Sequence, residues 1–269
     1  MIPVTGQNYT ISVTKNNNHI NQNTKELSIL VSMYGLSFMI RNTHQKKFFE
    51  YSISHANPLV LKEKLLKIID ERPVLNDNYD QIKLIFHNRL NALIPQEFFK
   101  VDIAKEQLSQ QIKLLPNDTV NYDFISSLDA YDVYVSYQDF NRLVATQTQN
   151  LIIKHSATDF FEKIASLKNQ IQDLPVFEVF LNIFPGDFQI AIFKNEKLQA
   201  FNHFEYENTD EFLYYLFFML ETLEVKPQQS RLYFFGIDEQ NELLDEVRLF
   251  NDKLMLVPGL NPSQIYNHF

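Results

Sequence analysis

The strongest constraint on this chain is that it carries one pattern twice. "LSILVSMYGLSFMIRN" (residues 27–42) is a pair of strand-like runs pinched around Gly35, and "KKFFEYSIS" (46–54) supplies a third run. "FEVFLNIFPGDFQIAIFKN" (177–195) repeats the design around Gly186, and "KLQAFNHFEY" (197–206) follows it. Short β-rich runs separated by turn residues read as antiparallel meanders. Each meander leads into a helix. In "NPLVLKEKLLKIIDER" Asn57 is placed to cap and Pro58 to fill the first helical position, with Leu61, Leu65, Ile68 and Ile69 on one stripe. In "NTDEFLYYLFFMLETLEV" Asn208 is the cap and Glu211 stands three residues on, the capping-box spacing. A compact apolar strand ends each unit, "IKLIF" (82–86) and "RLYFF" (231–235). Gly186 follows Gly35 by 151 residues, and Asn208 follows Asn57 by the same 151. A βββαβ unit recurring at half the chain length implies an internally duplicated α/β protein.

The remaining segments fit around the two copies. Residues 1–26 read as an N-terminal arm, with Tyr9–Val13 as a short edge strand and an Asn-rich polar run behind it. Between the copies, "DIAKEQLSQQIKLL", the run from Gln138 to Gln147 and "SATDFFEKIASL" read as helices, and "AYDVYVSY" and "NLIIKH" as strands that extend the first meander. A polar "KNQIQDLP" marks a boundary near Asp173, giving a first domain over 27–173 and a second over 174–269.

Composition removes several classes of function. The chain of 269 residues has a net charge of -9, a field that repels phosphate backbones, so nucleic acid is not expected as a partner. It has no cysteine, which excludes disulfides and thiolate chemistry. The start "MIPVTGQNYTIS" lacks the pattern of a secretory signal, and the longest apolar run, "FLYYLFFML", is far short of the roughly 18 residues that a membrane helix needs. A cytoplasmic protein without membrane insertion is the expectation.

Two tandem βββαβ units with a glycine at each first hairpin resemble the duplicated ribonuclease-H-like halves of the actin and sugar-kinase superfamily. "GLSFMI" (35–40), "ALIPQEFF" (92–99) and above all "FNHFEYENTDEFLYYLFF" (201–218) resemble a Bacteroidetes family, domain of unknown function 3822, to which that actin-like ATPase fold is assigned. The resemblance implies an α/β actin-like fold of two ribonuclease-H-like domains, with a nucleotide cleft between them. In active members of the superfamily the first hairpins bind phosphate, and an Asp two residues before the glycine organises magnesium. Those positions here are Met33 and Phe184, which cannot ligate a hard cation. The cleft positions carried over are Gly35, Ser37, Gly186, Asp187 and Gly236, where active relatives have a double glycine at the last. Five glycines in the whole chain are few for three loops that let backbone approach a nucleotide.

Other chemistry is equally thin. The seven histidines show no metal-ligand spacing, so neither a metal site nor a catalytic residue is expected from them. Glu205, Glu207, Asp210 and Glu211 are explained by the positive end of a helix, and Asp129, Asp132 and Asp139 have no arguable partner base. Aromatic surface is the remaining signal. The helix around Phe212, Tyr214, Tyr215, Phe217 and Phe218 is apolar nearly all round, which fits a sandwiched core helix or a partner-facing one. The sequence therefore points to a non-catalytic binding or assembly protein, acting on a protein partner or a second copy and needing no cofactor. The alternative is an ATP-binding switch or ATPase with a rebuilt site between the halves.

Overall fold

The structure, a computed structural model, describes residues 25–42, 46–53, 58–116, 118, 119–146, 148, 150–171 and 176–257. The expected edge strand at Tyr9–Val13, the Asn57 cap and the boundary near Asp173 lie outside them.

The first meander forms as β1 (Glu26–Ser32), β2 (Gly35–Arg41) and β3 (Lys46–Ser52), followed by α1 (Pro58–Glu71) and β4 (Gln81–His87). The second forms as β9 (Phe177–Phe184), β10 (Asp187–Lys194) and β11 (Lys197–Glu205), followed by α5 (Thr209–Thr222) and β12 (Ser230–Phe235). Each copy gains a fifth strand in parallel: β8 (Leu151–His155) beside β4, and β13 (Leu254–Leu256) beside β12. The sheet orders β3-β2-β1-β4-β8 and β11-β10-β9-β12-β13 are therefore equivalent. The duplication runs one strand further than the repeat in the sequence.

The hairpins also correct the 151-residue offset at their turns. Ser32 pairs with Gly35 across the first, but Phe184 pairs with Asp187 across the second. By register the counterpart of Gly35 is Asp187, and the counterpart of Gly186 is Tyr34. Gly35 is required by its neighbour strand: at φ 148°, a Cβ there would lie 2.1 Å from the Tyr51 carbonyl oxygen of β3.

"AYDVYVSY" does not extend the first sheet. It becomes β7 (Ala130–Ser136), the centre of a separate antiparallel sheet between β5 (Asn91–Pro95) and β6 (Thr119–Ile125). The helix α2 (Ala104–Ser109) covers that sheet, burying Leu108 with Val133 and Val135. On one face of the first main sheet lie α1 and α3 (Gln138–Ala145), which pack Leu61, Leu65, Phe140 and Val144 onto Leu36, Phe38 and Leu84. On the matching face of the second lie α5 and α6 (Glu242–Arg248), which place Phe212, Leu216 and Leu244 against Phe188, Ile190 and Phe234.

The other faces are joined by α4 (Ser156–Lys168). Its Phe160, Phe161 and Ile164 pack with Phe180, Ala191, Tyr233 and Phe235 of the second sheet. Its Asp159 reaches Lys83 of β4 at 2.5 Å, so the same helix is fastened to the first sheet. Among the described residues, no helix is long and apolar enough to cross a membrane.

Candidate functional site

The two hairpin turns meet where α4 begins. Tyr34 lies over Gly186, its ring 3.3 Å from where a Cβ would stand, and its hydroxyl donates to the Gly186 carbonyl at 3.4 Å. Burial, with the charges of Asp187 and Glu205, pushes the Tyr34 phenol up to about 12, so it stays a donor. The Tyr34 N–H donates to Ser32 Oγ at 3.2 Å. In the second turn Pro185 has no N–H, Tyr206 N–H donates to the Gly186 carbonyl at 3.0 Å, and the Tyr206 hydroxyl donates to the Phe184 carbonyl at 3.1 Å.

Beneath the turns, a chain of buried polar groups crosses from one half to the other. Asn182 Nδ2 donates to Gln189 Oε1 at 2.9 Å, and Gln189 Nε2 donates to Ser156 Oγ at 2.8 Å. The Ser156 hydroxyl then donates to His87 Nδ1 at 2.8 Å, and His87 Nε2–H donates to Asp187 Oδ1 at 2.7 Å. This assignment of protons satisfies every link. Burial pushes the Asp187 carboxyl up, but His87 and His203 beside it outweigh that and hold it below the usual carboxylate range. The His87 ring stacks on Phe184, with centroids 3.7 Å apart.

Ser156, His87 and Asp187 have the connectivity of an acyl-transfer triad. Ser156 is nevertheless 3% exposed and its oxygen already accepts from Gln189, so the hydroxyl is closed to a substrate.

His203 completes the cluster from β11. Its Nε2 is 3.1 Å from Asp187 Oδ1 but out of line for a hydrogen bond, so among the described residues neither buried ring nitrogen has an aligned partner. Burial pushes the ring below the usual histidine range, against the pull of the Asp187 charge. Ligand-type atoms of His87, Asp187 and His203 all lie within 4.8 Å of one another. His203 also lines a groove of about 410 Å³ whose walls are Arg89, Asn91 and Leu93 on one side and β11 on the other.

A second buried group adjoins the first. His155 donates from Nδ1 to Asp132 at 3.0 Å, and its Nε2 is 3.0 Å from the Asn88 carbonyl. The Ala157 N–H also points at Nδ1, from 3.3 Å. Asn91 and Thr158 donate to the same Asp132.

Of the five cleft positions, Gly186 and Asp187 adjoin this cluster, and Gly35 follows the Tyr34 that covers Gly186. Ser37 is buried within β2 opposite Leu30, and Gly236 ends β12 at φ 90°. His87, His155, His203, Ser156 and Asp132 were not expected as site residues. For the histidines and Asp132 the signal was present as polar residues within or at the end of strand runs, which a buried strand retains only where partners satisfy them, whereas Ser156 opens α4 and carried none.

The sequence matches the family model described as "Protein of unknown function (DUF3822)" over residues 14–254. The chain belongs to that family. Its fold is that of a protein with actin-like ATPase fold and unknown function from Bacteroides thetaiotaomicron, with a TM-score of 0.74 at 18% identity, covering 94% of this chain and 98% of that one. A chain of the PilM–PilN type IV pilus biogenesis complex is similar at a TM-score of 0.56 and 11% identity, covering 90% of each. No curated protein matches. The family member thus has an α/β actin-like ATPase fold, reached through two equivalent five-stranded sheets.

Proposed function

We propose that the protein is a non-catalytic actin-like binding or assembly protein whose two phosphate turns have degenerated. The observation that carries this reading is the closure of the turns on each other, with Tyr34 against Gly186. A phosphate site at such turns needs free backbone N–H groups and an acid to hold magnesium. Here one N–H is spent on Ser32, another is absent at Pro185, and Met33 and Phe184 replace the acids. Asp187, the carboxylate that directly follows the second turn, is engaged by His87.

The partner in this reading is another protein or a second copy of the chain, and no cofactor is needed. Supporting it, α5 buries Phe212 and Leu216 but leaves Tyr214 63% and Phe218 47% exposed, stacked on each other. The neighbour from the pilus biogenesis complex supports it at the level of fold, since such a chain is found there in an assembly.

Calorimetry and thermal unfolding with Mg-ATP test the proposal. The expected result is no saturable heat and no magnesium-dependent rise in Tm. A micromolar site at a hundredfold ligand excess would add about 2.7 kcal/mol. Stabilisation on that scale would establish the alternative, an ATP-dependent switch.

A further inference from the structure

We propose that His87, Asp187 and His203 form a binding site for one divalent transition-metal ion of the zinc class, opening on the groove between the two halves. Two imidazoles and one carboxylate are a donor set for borderline cations such as Zn²⁺, whereas Mg²⁺ prefers oxygen ligands. The three residues come from the end of β4, the start of β10 and the middle of β11. Strands of both halves therefore fix their backbones.

The spacing is close to what such an ion requires. Asp187 Oδ1 lies 2.7 Å from His87 Nε2 and 3.1 Å from His203 Nε2. Ligands bound tetrahedrally at about 2.0–2.2 Å stand roughly 3.4 Å apart, so binding draws His87 and Asp187 slightly apart and brings the two imidazoles, whose ligand atoms lie within 4.8 Å, onto the ion.

His203 is the observation that asks for a ligand. Its side chain is 6% exposed, and among the described residues neither of its ring nitrogens has an aligned partner. A buried polar group left unmade is costly, and a metal bond at Nε2 satisfies it. His87 also has a supporting partner: to ligate through Nε2 its ring carries the proton on Nδ1, which faces Ser156 Oγ at 2.8 Å. Phe184 stacked on that ring holds its plane. Of the three ligands His203 lines the groove, so an ion would approach from its side.

The test uses the full chain, stripped by chelator and titrated with Co²⁺ and then Zn²⁺ without nucleotide. The expected result is one Co²⁺ per chain with the visible absorption of a low-coordinate nitrogen–oxygen site, displaced by Zn²⁺ but not by Mg²⁺. His203→Gln, checked for folding by circular dichroism, loses that absorption and weakens Zn²⁺ binding by more than the ~10–100-fold that loss of a supporting partner costs. Ser156→Ala keeps all three ligands and weakens it by about tenfold. No low-coordinate cobalt spectrum in the natural chain, or Zn²⁺ affinity unchanged by His203→Gln, would overturn the proposal. Because no nucleotide is involved, failure here leaves the binding-protein reading intact, and failure of that reading leaves this site intact.

Discussion

Asp123 of β6 accepts the His155 backbone N–H at 3.1 Å and lies beside the Tyr134 hydroxyl. Burial first, then the charge of Asp132, pushes its carboxyl up to about 7. The folded chain thus binds a proton that the unfolded chain has released above its ordinary value near 3.8. Stability from this group is greatest below that value, falls as pH rises toward 7, and is level above it. At about 1.4 kcal/mol per pH unit, the loss is on the order of 4 kcal/mol. Asp123→Asn should therefore raise Tm at pH 8 and change it little at pH 4. An equal shift at both values would show that Asp123 stays ionised in the fold. At this scale the sequence was partly legible. Asp132 stood out, but its partner His155 is 23 residues away at the end of another strand. No spacing rule links them, because it is the insertion of the small sheet that brings them together.

A single β-bulge explains why the histidine–carboxylate cluster escaped the same reading. β10 and β11 pair Phe193 with Leu198 near their turn, but past the irregularity at Ile192/Phe193 the register shifts, and Gln189 pairs with His203. Without that extra residue His203 would oppose Phe188, whose side chain belongs to the α5 core. A one-residue slip moves a side chain to the other face, so the bulge is what sets His203 beside Asp187. Other elements were legible for local reasons. Asn208 caps α5 by accepting from the Glu211 N–H at 3.0 Å, while Glu211 reaches back to the Glu207 N–H at 2.9 Å, one residue earlier than a standard capping box. Asn208→Ala should cost about 1 kcal/mol, seen as a lower urea midpoint with an unchanged m-value. No loss would mean that packing of α5 alone holds its first turn. Four elements were missed, β5, β6, β13 and α6; two of them have weak patterns, since β6 stays only partly buried over most of its length and β13 has three residues.

Over the whole molecule, the repeat made the two sheets legible but was silent on how they join. That depends on α4, which follows the first sheet in sequence and packs its phenylalanines on the second. Asp159 holds it to Lys83 on one side, and Lys168 meets Glu178 of β9 at 2.7 Å on the other. Burial raises the Asp159 carboxyl, yet Lys163 and Lys83 outweigh it and keep the group ionised. α4 buries Phe160 and Phe161 in the core of the second sheet, Asp159 ties it to the first, and Leu30 and Ile85 of the first sheet meet Phe184 of the second, so neither half unfolds without breaking buried contacts with the other. The two halves should consequently unfold in urea as one transition, with far-UV circular dichroism and tyrosine fluorescence coincident. Phe160 is fully buried and meets Phe235 edge-on at 5.6 Å. Phe160→Ala should lower stability by about 3–5 kcal/mol while keeping a single transition. Two separated transitions in the natural chain would show that α4 belongs to one half only. The polar chain from Asn182 to Asp187 would then be a contact between independent domains instead of part of a shared core.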